Sequence, residues 1–129
     1  MRRINVIIFT FILACVMWHI HSIKAFAQLR WFDSYTYVTS EQEKFHLDNF
    51  AYYLKKSPEL TGYICYFVGK DTRYKKINQR AFKAKKYLMK EYGLQKSRII
   101  LVYGGKRAET TFILQPKIFS DPPPKFQIE

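Results

Sequence analysis

Acidic residues, cysteine and histidine are scarce in this chain, and their scarcity excludes several kinds of chemistry. The 129 residues include 10 Asp and Glu, 2 Cys and 3 His. There is no G-x-S-x-G string, no H-E-x-x-H string and no phosphate loop. No group of His, Cys and carboxylates has the spacing of metal ligands. The sequence therefore predicts a non-enzymatic protein that needs no cofactor and no metal.

The sequence also lacks a hydrophobic run long enough to span a bilayer. Its longest apolar run is typical of a secretion signal. Residues 6–18 are apolar but too few to span a bilayer comfortably. They follow the basic start Met1-Arg2-Arg3 and precede Ala25-Phe26-Ala27, a small-x-small cleavage site. We therefore expect residues 1–27 to be a signal peptide and the mature chain to begin at Gln28.

Two other interpretations of the start remain open. The string Ile12-Leu13-Ala14-Cys15 loosely matches a lipoprotein cleavage box, with Cys15 as the lipidated residue. Residues 4–23 are alternatively an anchor that is not cleaved. All three interpretations place the domain outside the cytoplasm, in the periplasm or at the outer membrane.

Basic residues dominate the charge of the chain, with 22 Lys and Arg and a formal net charge of +12. Removal of the leader takes away Arg2, Arg3 and Lys24 and no acid, which leaves a mature charge of +9. Such an excess favours anionic polymers, lipid headgroups or acidic proteins as partners. Nucleic acid fits the charge but not the exported location. Cys65 is the one cysteine of the mature chain, so no internal disulfide is expected, and we interpret it as a buried strand residue.

The first of two helices is predicted over residues 40–56, after a first strand at residues 30–37. Ser40 and Glu43 have the S-x-x-E spacing of a capping box. Ser57-Pro58 ends the helix because proline disfavours helical geometry in the residue before it. The core stripe has i, i+3, i+4, i+7 spacing and consists of Leu47, Phe50, Ala51 and Leu54.

The second helix is strongly basic and is predicted over residues 72–92. Asp71 or Thr72 is a candidate N-cap, and Gly93 suits the left-handed position after the last turn. Its apolar stripe consists of Tyr74, Ile77, Ala81, Ala84 and Leu88. The other faces carry the cations Lys70, Arg73, Lys75, Lys76, Arg80, Lys83, Lys85, Lys86 and Lys90.

Three further strands are predicted at residues 62–68, 98–103 and 110–118, with a turn at 104–109 and Pro116 at a sheet edge or strand end. The order β-α-β-α-β-β predicts an α+β fold. We expect a two-layer sandwich in which a mixed four-stranded sheet carries both helices on one face. The domain would span residues 28–119, and the Pro-rich residues 120–129 would form a mobile tail.

The face of the sheet away from the helices is predicted to be unusually apolar. Along the second strand, Ile64, Tyr66 and Val68 alternate with Tyr63, Cys65 and Phe67, and the first strand places Trp31, Tyr35 and Tyr37 on one side. A face open to water normally carries polar residues instead. We expect it to be covered by the tail, a second copy or another protein, or else to be shielded by the chain's own loops.

Several local strings and their order match a known domain family. They are Phe32-Asp33, Leu47 to Leu54 followed by Pro58, Arg80-Ala81-x-x-Ala84-x-x-Tyr87-Leu88, Gly93-Leu94, Arg98-Ile99 and Tyr103-Gly104-Gly105. Together they resemble the OmpA-like domain, a periplasmic module that binds peptidoglycan. The likeness covers nearly all of the mature chain, which looks like a divergent stand-alone member. The resemblance implies the same two-layer fold and a role in binding the cell wall.

The resemblance also implies a ligand-binding role for Arg80. In peptidoglycan-binding members, an arginine at this position pairs with the carboxylate of a diaminopimelate stem residue, and an Asp in a T-D string holds its amine. That string is absent here, and Asp71 either takes its place or simply caps the helix. The alternative for Arg80 is a structural pair with Asp33, Asp48 or another acid at the boundary of helix and sheet.

The charge pattern adds further candidate ligand-binding residues. Lys70, Arg73 and Lys83 belong to the cations of the basic helix, and Arg107 lies in the predicted turn, where its alternative is a pair with Glu109. Two functions follow. The first is docking to peptidoglycan or another anionic envelope polymer through the basic helix. The alternative is a structural or adaptor subunit whose aromatic sheet face joins a protein partner or a second copy.

Overall fold

The computed structural model describes residues 32–125, so the predicted leader 1–27, the predicted start of the domain with Trp31, and the last four residues of the tail lie outside the described part. The elements are strand β1 (Asp33–Tyr35), helix α1 (Ser40–Lys56), strand β2 (Leu60–Gly69), helix α2 (Tyr74–Tyr92), a single 3-10 turn (Lys96–Arg98), strand β3 (Ile99–Arg107) and strand β4 (Thr111–Ile118). Neither helix of residues 32–125 is long and apolar enough to cross a membrane.

The sheet has the strand order β1-β4-β2-β3 and is mixed. β4 runs antiparallel to both β1 and β2, and β3 runs parallel to β2. The first three strands therefore point the same way, and their carboxyl ends share one edge of the sheet. The α+β prediction with a mixed four-stranded sheet is confirmed, and the layout is consistent with the OmpA-like resemblance.

Both helices pack on the same face of the sheet. The predicted stripe of α1 is fully buried in one core with Ile64, Tyr66 and Val68 of β2. The opposite side of β2, with Tyr63, Cys65 and Phe67, forms a separate cluster that contains no helix residue. The predicted alternation of β2 is therefore confirmed, and the helix-side core holds the two layers together through burial of apolar surface.

The cap of α1 lies one residue earlier than the sequence predicted. Thr39 is the N-cap: its Oγ1 accepts from the Gln42 backbone N–H at 3.2 Å, and Gln42 Oε1 accepts from the Thr39 N–H at 2.9 Å. The predicted box of Ser40 and Glu43 is wrong because the Glu43 carboxylate is bonded to Tyr35 and Arg80 instead. The helix ends at Lys56 as predicted.

Helix α2 begins and is capped differently from the prediction. Arg73 occupies the N-cap position without a side-chain cap, so neither Asp71 nor Thr72 caps the helix. Tyr74, predicted in the core, is 48% exposed, whereas Ile77, Ala81, Ala84 and Leu88 are buried. Gly93 has φ 65° and ends the helix in the left-handed conformation as predicted.

Residues 104–107 continue β3 instead of forming the predicted turn, which shrinks to residues 108–110. A bulge lets Tyr66 pair with Tyr103 and Phe67 pair with Gly105, so that Gly104 is the extra residue. Pro116 pairs with Gly62 of β2 and lies beyond the described pairs with β1. Its nitrogen is on the side of β4 that faces β1, where no described strand residue lies opposite it, so the missing N–H breaks no described hydrogen bond.

The face away from the helices is apolar but not exposed. Tyr63, Cys65, Phe67 and Ile113 are each at most 5% exposed. The prediction that Tyr35 belongs to this side is wrong, because Tyr35 is buried in the helix-side core. Burial raises the pKa of the Cys65 thiol to about 12, which keeps it protonated and agrees with its interpretation as a buried strand residue.

The described part of the tail turns back after β4. The Asp121 N–H donates to the Ile118 carbonyl at 2.9 Å, and Lys117 Nζ donates to the Pro122 carbonyl at 3.0 Å. Pro124 is buried. Residues 119–125 therefore have contacts of their own, while mobility of the whole tail stays a prediction.

Candidate functional site

Most of the predicted ligand-binding residues gather at the edge where β1, β2 and β3 end. Lys70 and Asp71 follow the last residue of β2, Arg73 is the N-cap of α2, and Arg107 is the last residue of β3. Gly69 and Arg107 are register partners, which brings the ends of the two strands side by side. Cations from the β2–α2 connection and from the end of β3 are thus found at one edge of the sheet.

The loop between β2 and α2 is held by threonine hydroxyls. Thr110 Oγ1 accepts from the Gly69 N–H at 3.0 Å and donates to Thr72 Oγ1 at 3.3 Å, and the Thr72 N–H donates to the Gly69 carbonyl at 3.0 Å. A Cβ on Gly69 would lie 2.8 Å from the Thr110 nitrogen. The close approach of the two loops therefore requires glycine at residue 69. The Thr72 hydroxyl is bonded to Thr110 and does not cap the helix.

Arg80 is held within the chain. Its Nε lies 2.9 Å and 3.1 Å from the two carboxylate oxygens of Glu43, and its guanidinium carbon lies 5.0 Å from the centre of the Phe112 ring. The side chains of Arg80 and Glu43 are 27% and 17% exposed. Of the two interpretations of Arg80, the contacts favour the structural one, with Glu43 as its acid. The pair links α2 to α1 over the end of the sheet.

A row of rings lies beneath this ion pair and crosses all four strands. Tyr35, Phe112, Tyr66 and Tyr103 are direct register partners from β1 to β3, with centroids 5.3 to 6.3 Å apart. His46 of α1 stacks on Tyr35 at 4.9 Å and extends the row. Stacked rings at these distances add stability beyond their buried area. The Arg80–Glu43 pair therefore packs against this row of rings.

The polar atoms around the row are partnered. The Tyr35 hydroxyl donates to Glu43 at 3.1 Å, the Tyr66 hydroxyl donates to Asn78 at 2.7 Å, and His46 Nδ1 lies 2.5 Å from Asp33. Burial first, and then the charge and hydrogen bond of Glu43, raise the pKa of Tyr35. Tyr35 therefore remains a neutral donor to the carboxylate throughout the physiological range.

The Glu43–Arg80 contact can be measured by a double-mutant cycle. We expect Glu43→Gln and Arg80→Gln to show a coupling free energy of about 1 kcal/mol in urea unfolding of the full chain, because the pair is half-buried and forms charged hydrogen bonds. Lys55→Gln with Glu43→Gln is the matched control, since Lys55 is exposed and lies about three turns farther along α1, and should show no coupling. Strict additivity of the Glu43 and Arg80 changes would contradict the structural assignment.

The other predicted ligand-binding residues are placed differently from Arg80. Arg107 lies on the opposite face, with its guanidinium carbon 3.7 Å from the centre of the Phe67 ring. This contact replaces the predicted alternative of a pair with Glu109. Lys70, Asp71 and Arg73 are exposed, and Lys83 lies farther along α2. The structure therefore does not bring these residues and Arg80 into one pocket.

A cationic stripe runs along α2 on the side opposite the core. At 3.6 residues per turn its members fall within about 100° of the helix circumference. All five are exposed lysines: Lys75, Lys76, Lys83, Lys86 and Lys90. The ion pairs of residues 32–125 are His46–Asp33 and Arg80–Glu43, so none of the stripe lysines is neutralised there. The stripe is therefore a row of unpaired positive charges within residues 32–125.

Some residues of this region were missed by sequence reasoning. The ring row has a signal in the aromatic content of the strands, but the register that aligns it depends on β4 lying between β1 and β2. Asn78 and the pair of Tyr87 with Asp48, at 2.7 Å, were also missed. Both α2 residues flank its core stripe, where a polar side chain predicts contact with a neighbouring element.

The described residues contain no group of three or more His, Cys, Asp or Glu that could hold a metal ion. No protein-family model matches the chain, and no curated protein matches it. The OmpA-like assignment therefore stays a prediction from resemblance, and any function is argued from the geometry above.

Proposed function

We propose that this chain is an exported, non-enzymatic domain that docks to peptidoglycan or another anionic polymer of the cell envelope through the cationic stripe of α2. The observation that carries the proposal is the row of five exposed lysines without an acidic partner among residues 32–125. A row of like charges on a rigid helix attracts a polyanion along its length. The apolar side of α2, buried against the sheet, keeps the stripe facing outward.

The Arg80–Glu43 pair determines the expected mode of binding. Because Glu43 already holds the Arg80 Nε, a specific carboxylate pocket at Arg80 is disfavoured. Binding is then charge attraction spread along the stripe. We expect Arg80→Ala to weaken polymer binding no more than Lys83→Ala does. A much larger loss for Arg80→Ala would restore the pocket and replace the stripe as the site.

The stripe predicts a salt-dependent loss on substitution. We expect Lys83→Gln/Lys86→Gln to weaken retention of the full chain on purified peptidoglycan sacculi about fivefold at low salt, because each exposed cation contributes ~0.5 kcal/mol. Raising the salt should remove the difference by screening. The measurement is co-sedimentation at several ionic strengths.

The matched control is Lys44→Gln/Lys55→Gln, which removes the same charge from exposed positions of α1. It should reduce retention less than twofold. An equal loss would mean that retention depends on the net charge of the chain and not on the stripe. Absence of retention on sacculi, together with binding to a soluble polyanion such as polyglutamate, would overturn the cell wall as the target.

The alternative function, a structural or adaptor subunit, relied on an exposed aromatic face. Tyr63 and Phe67 on that face are 4% and 1% exposed, and Arg107 covers the Phe67 ring. The far face therefore gives the alternative no support. A different surface of the chain is suited to a protein partner.

A further inference from the structure

Strand β3 forms one edge of the sheet, and this edge lacks the features that normally prevent another strand from pairing with it. Among residues 32–125 it pairs with β2 and with no other strand, so the backbone groups on its other side have no strand partner there. Its first five residues, Ile99 to Tyr103, contain no charge and no proline. Natural edge strands usually carry charged residues or proline, which discourage pairing with another chain.

The regular part of this edge is long enough to take another strand. From Ile99 to Tyr103 the register with β2 is continuous, and the bulge comes only after Tyr103. Residues 100–102 are half-buried apolar side chains, and Tyr103 is 44% exposed. The edge is thus regular and apolar over five residues, a length typical of a strand.

A groove runs beside the edge, between β3 and α2. It has a volume of about 790 Å³ and is lined by Ile99, Ile100 and Leu101 from β3, by Lys96 and Ser97 from the turn before it, and by Phe82 and Lys85 from α2. Phe82 is 57% exposed. At the other end, Tyr74 contacts Tyr103 with ring centroids 5.0 Å apart. An added strand would cover these exposed rings with alternate side chains.

Cations stand at both ends of the edge. Lys85 and Lys96 lie at its start, and burial together with the charge of Lys96 lowers the pKa of Lys85. Lys106 and Arg107 follow its apolar part. The two lysines at the start repel each other and have no acidic partner within residues 32–125, so an acid placed between them would be stabilised.

This charge pattern decides between a second copy and another protein. If two β3 strands paired antiparallel about Leu101, the end of the strand that follows Lys96 in each copy would lie beside the end that precedes Lys106 in the other. Parallel pairing would place each cation beside its own equivalent. Like charges directly opposite are destabilising in a sheet, and both copies carry a net positive charge. An occupant with acidic ends avoids this repulsion.

We propose that the β3 edge and its groove bind an extended segment of a partner protein, with an apolar centre and acidic residues at its ends, as an added strand of the sheet. The backbone of β3 supplies the hydrogen bonds, and the groove beside Phe82 takes the apolar side chains. The flanking cations attract the acidic residues at the two ends of the segment. This surface lies on a different side of α2 from the cationic stripe, so the two can be tested separately.

The probe is a nine-residue synthetic peptide with two glutamates at each end and Val-Thr-Val-Phe-Val between them. We expect it to bind the full chain and to slow the hydrogen exchange of those amides of residues 100–103 that face away from β2, observed by NMR. Lys85→Glu/Lys96→Glu should weaken its affinity about tenfold, measured by calorimetry. The matched control Lys83→Glu/Lys86→Glu makes the same charge change on the stripe and should lose less than threefold.

A second peptide tests the backbone directly. Methylation of alternate peptide nitrogens removes hydrogen-bond donors but keeps every side chain and charge, and we expect it to abolish binding when the methylated edge faces β3. Peptides methylated on either edge that bind as well as the parent would overturn the proposal, as would equal losses in the two charge-reversed variants. Sedimentation of the chain as a dimer that Leu101→Lys dissociates would also overturn it, by making a second copy the occupant.

Discussion

Replacement of Arg98 by alanine is expected to lower the free energy of unfolding by about 3 kcal/mol, because one guanidinium satisfies three backbone carbonyls. Arg98 Nη2 donates to the carbonyls of Leu54, Ser57 and Leu60 at 2.7, 3.0 and 2.9 Å, and Nε donates to Leu60 at 3.1 Å. The measurement is urea unfolding of the full chain.

The need for Arg98 originates in the sequence that ends α1. In an uninterrupted helix the Leu54 carbonyl would accept from the N–H of residue 58. That residue is Pro58, which has no N–H, and Leu54 is fully buried. The Ser57 N–H reaches the Leu54 carbonyl at 3.3 Å, a long bond that leaves room for a stronger donor. Arg98 supplies that donor from the turn before β3.

Two variants separate this role from simple loss of charge. Arg98→Lys keeps the charge but lacks the planar fork, and we expect it to lose about half as much stability as the alanine variant. Lys44→Ala removes an exposed cation from α1 and should change the unfolding free energy by less than about 0.5 kcal/mol. An Arg98→Ala effect as small as that of Lys44→Ala would contradict the proposed capping.

Periodicity predicted the core of the fold because local spacing decides it. Leu47, Phe50, Ala51 and Leu54 are buried as their helical spacing requires, and β2 is buried along both faces as its continuous apolar run indicates. These predictions succeed since each residue's burial follows from the face it occupies within its own element.

Details that depend on partners distant in sequence could not be predicted in this way. Two overlapping strings, Thr39 to Gln42 and Ser40 to Glu43, fit a capping box equally well. The choice between them is made by Arg80, 37 residues away, which together with Tyr35 takes the Glu43 carboxylate. The same contact links α2 to α1 and favours a structural role for Arg80. The role of Arg80 in binding stays a prediction, and sequence spacing alone could not reveal the tertiary pair that holds its Nε.

Gly104 is the other position where a distant side chain overrides a local pattern. Two consecutive glycines are typical of a turn, yet Gly104 and Gly105 lie in a bulged strand. The reason is the ring of Phe67, which lies over Gly104: a Cβ there would be 2.7 Å from Phe67 Cδ1 and closer still to Cε1 and Cζ. Phe67 is 1% exposed, and the Arg107 guanidinium lies on its ring.

We therefore expect Gly104→Ala to lower the free energy of unfolding by about 2 to 3 kcal/mol, since the ring has no open space to enter. Gly93→Ala is the matched control: φ there is +65° but no atom lies within 4 Å of the added Cβ, so only backbone strain of about 1 kcal/mol is expected. In a Phe67→Ala background the Gly104→Ala cost should fall below about 1 kcal/mol, because the clashing ring is gone. If the cost persists in that background, the glycine is required by the bulged backbone and not by the ring above it.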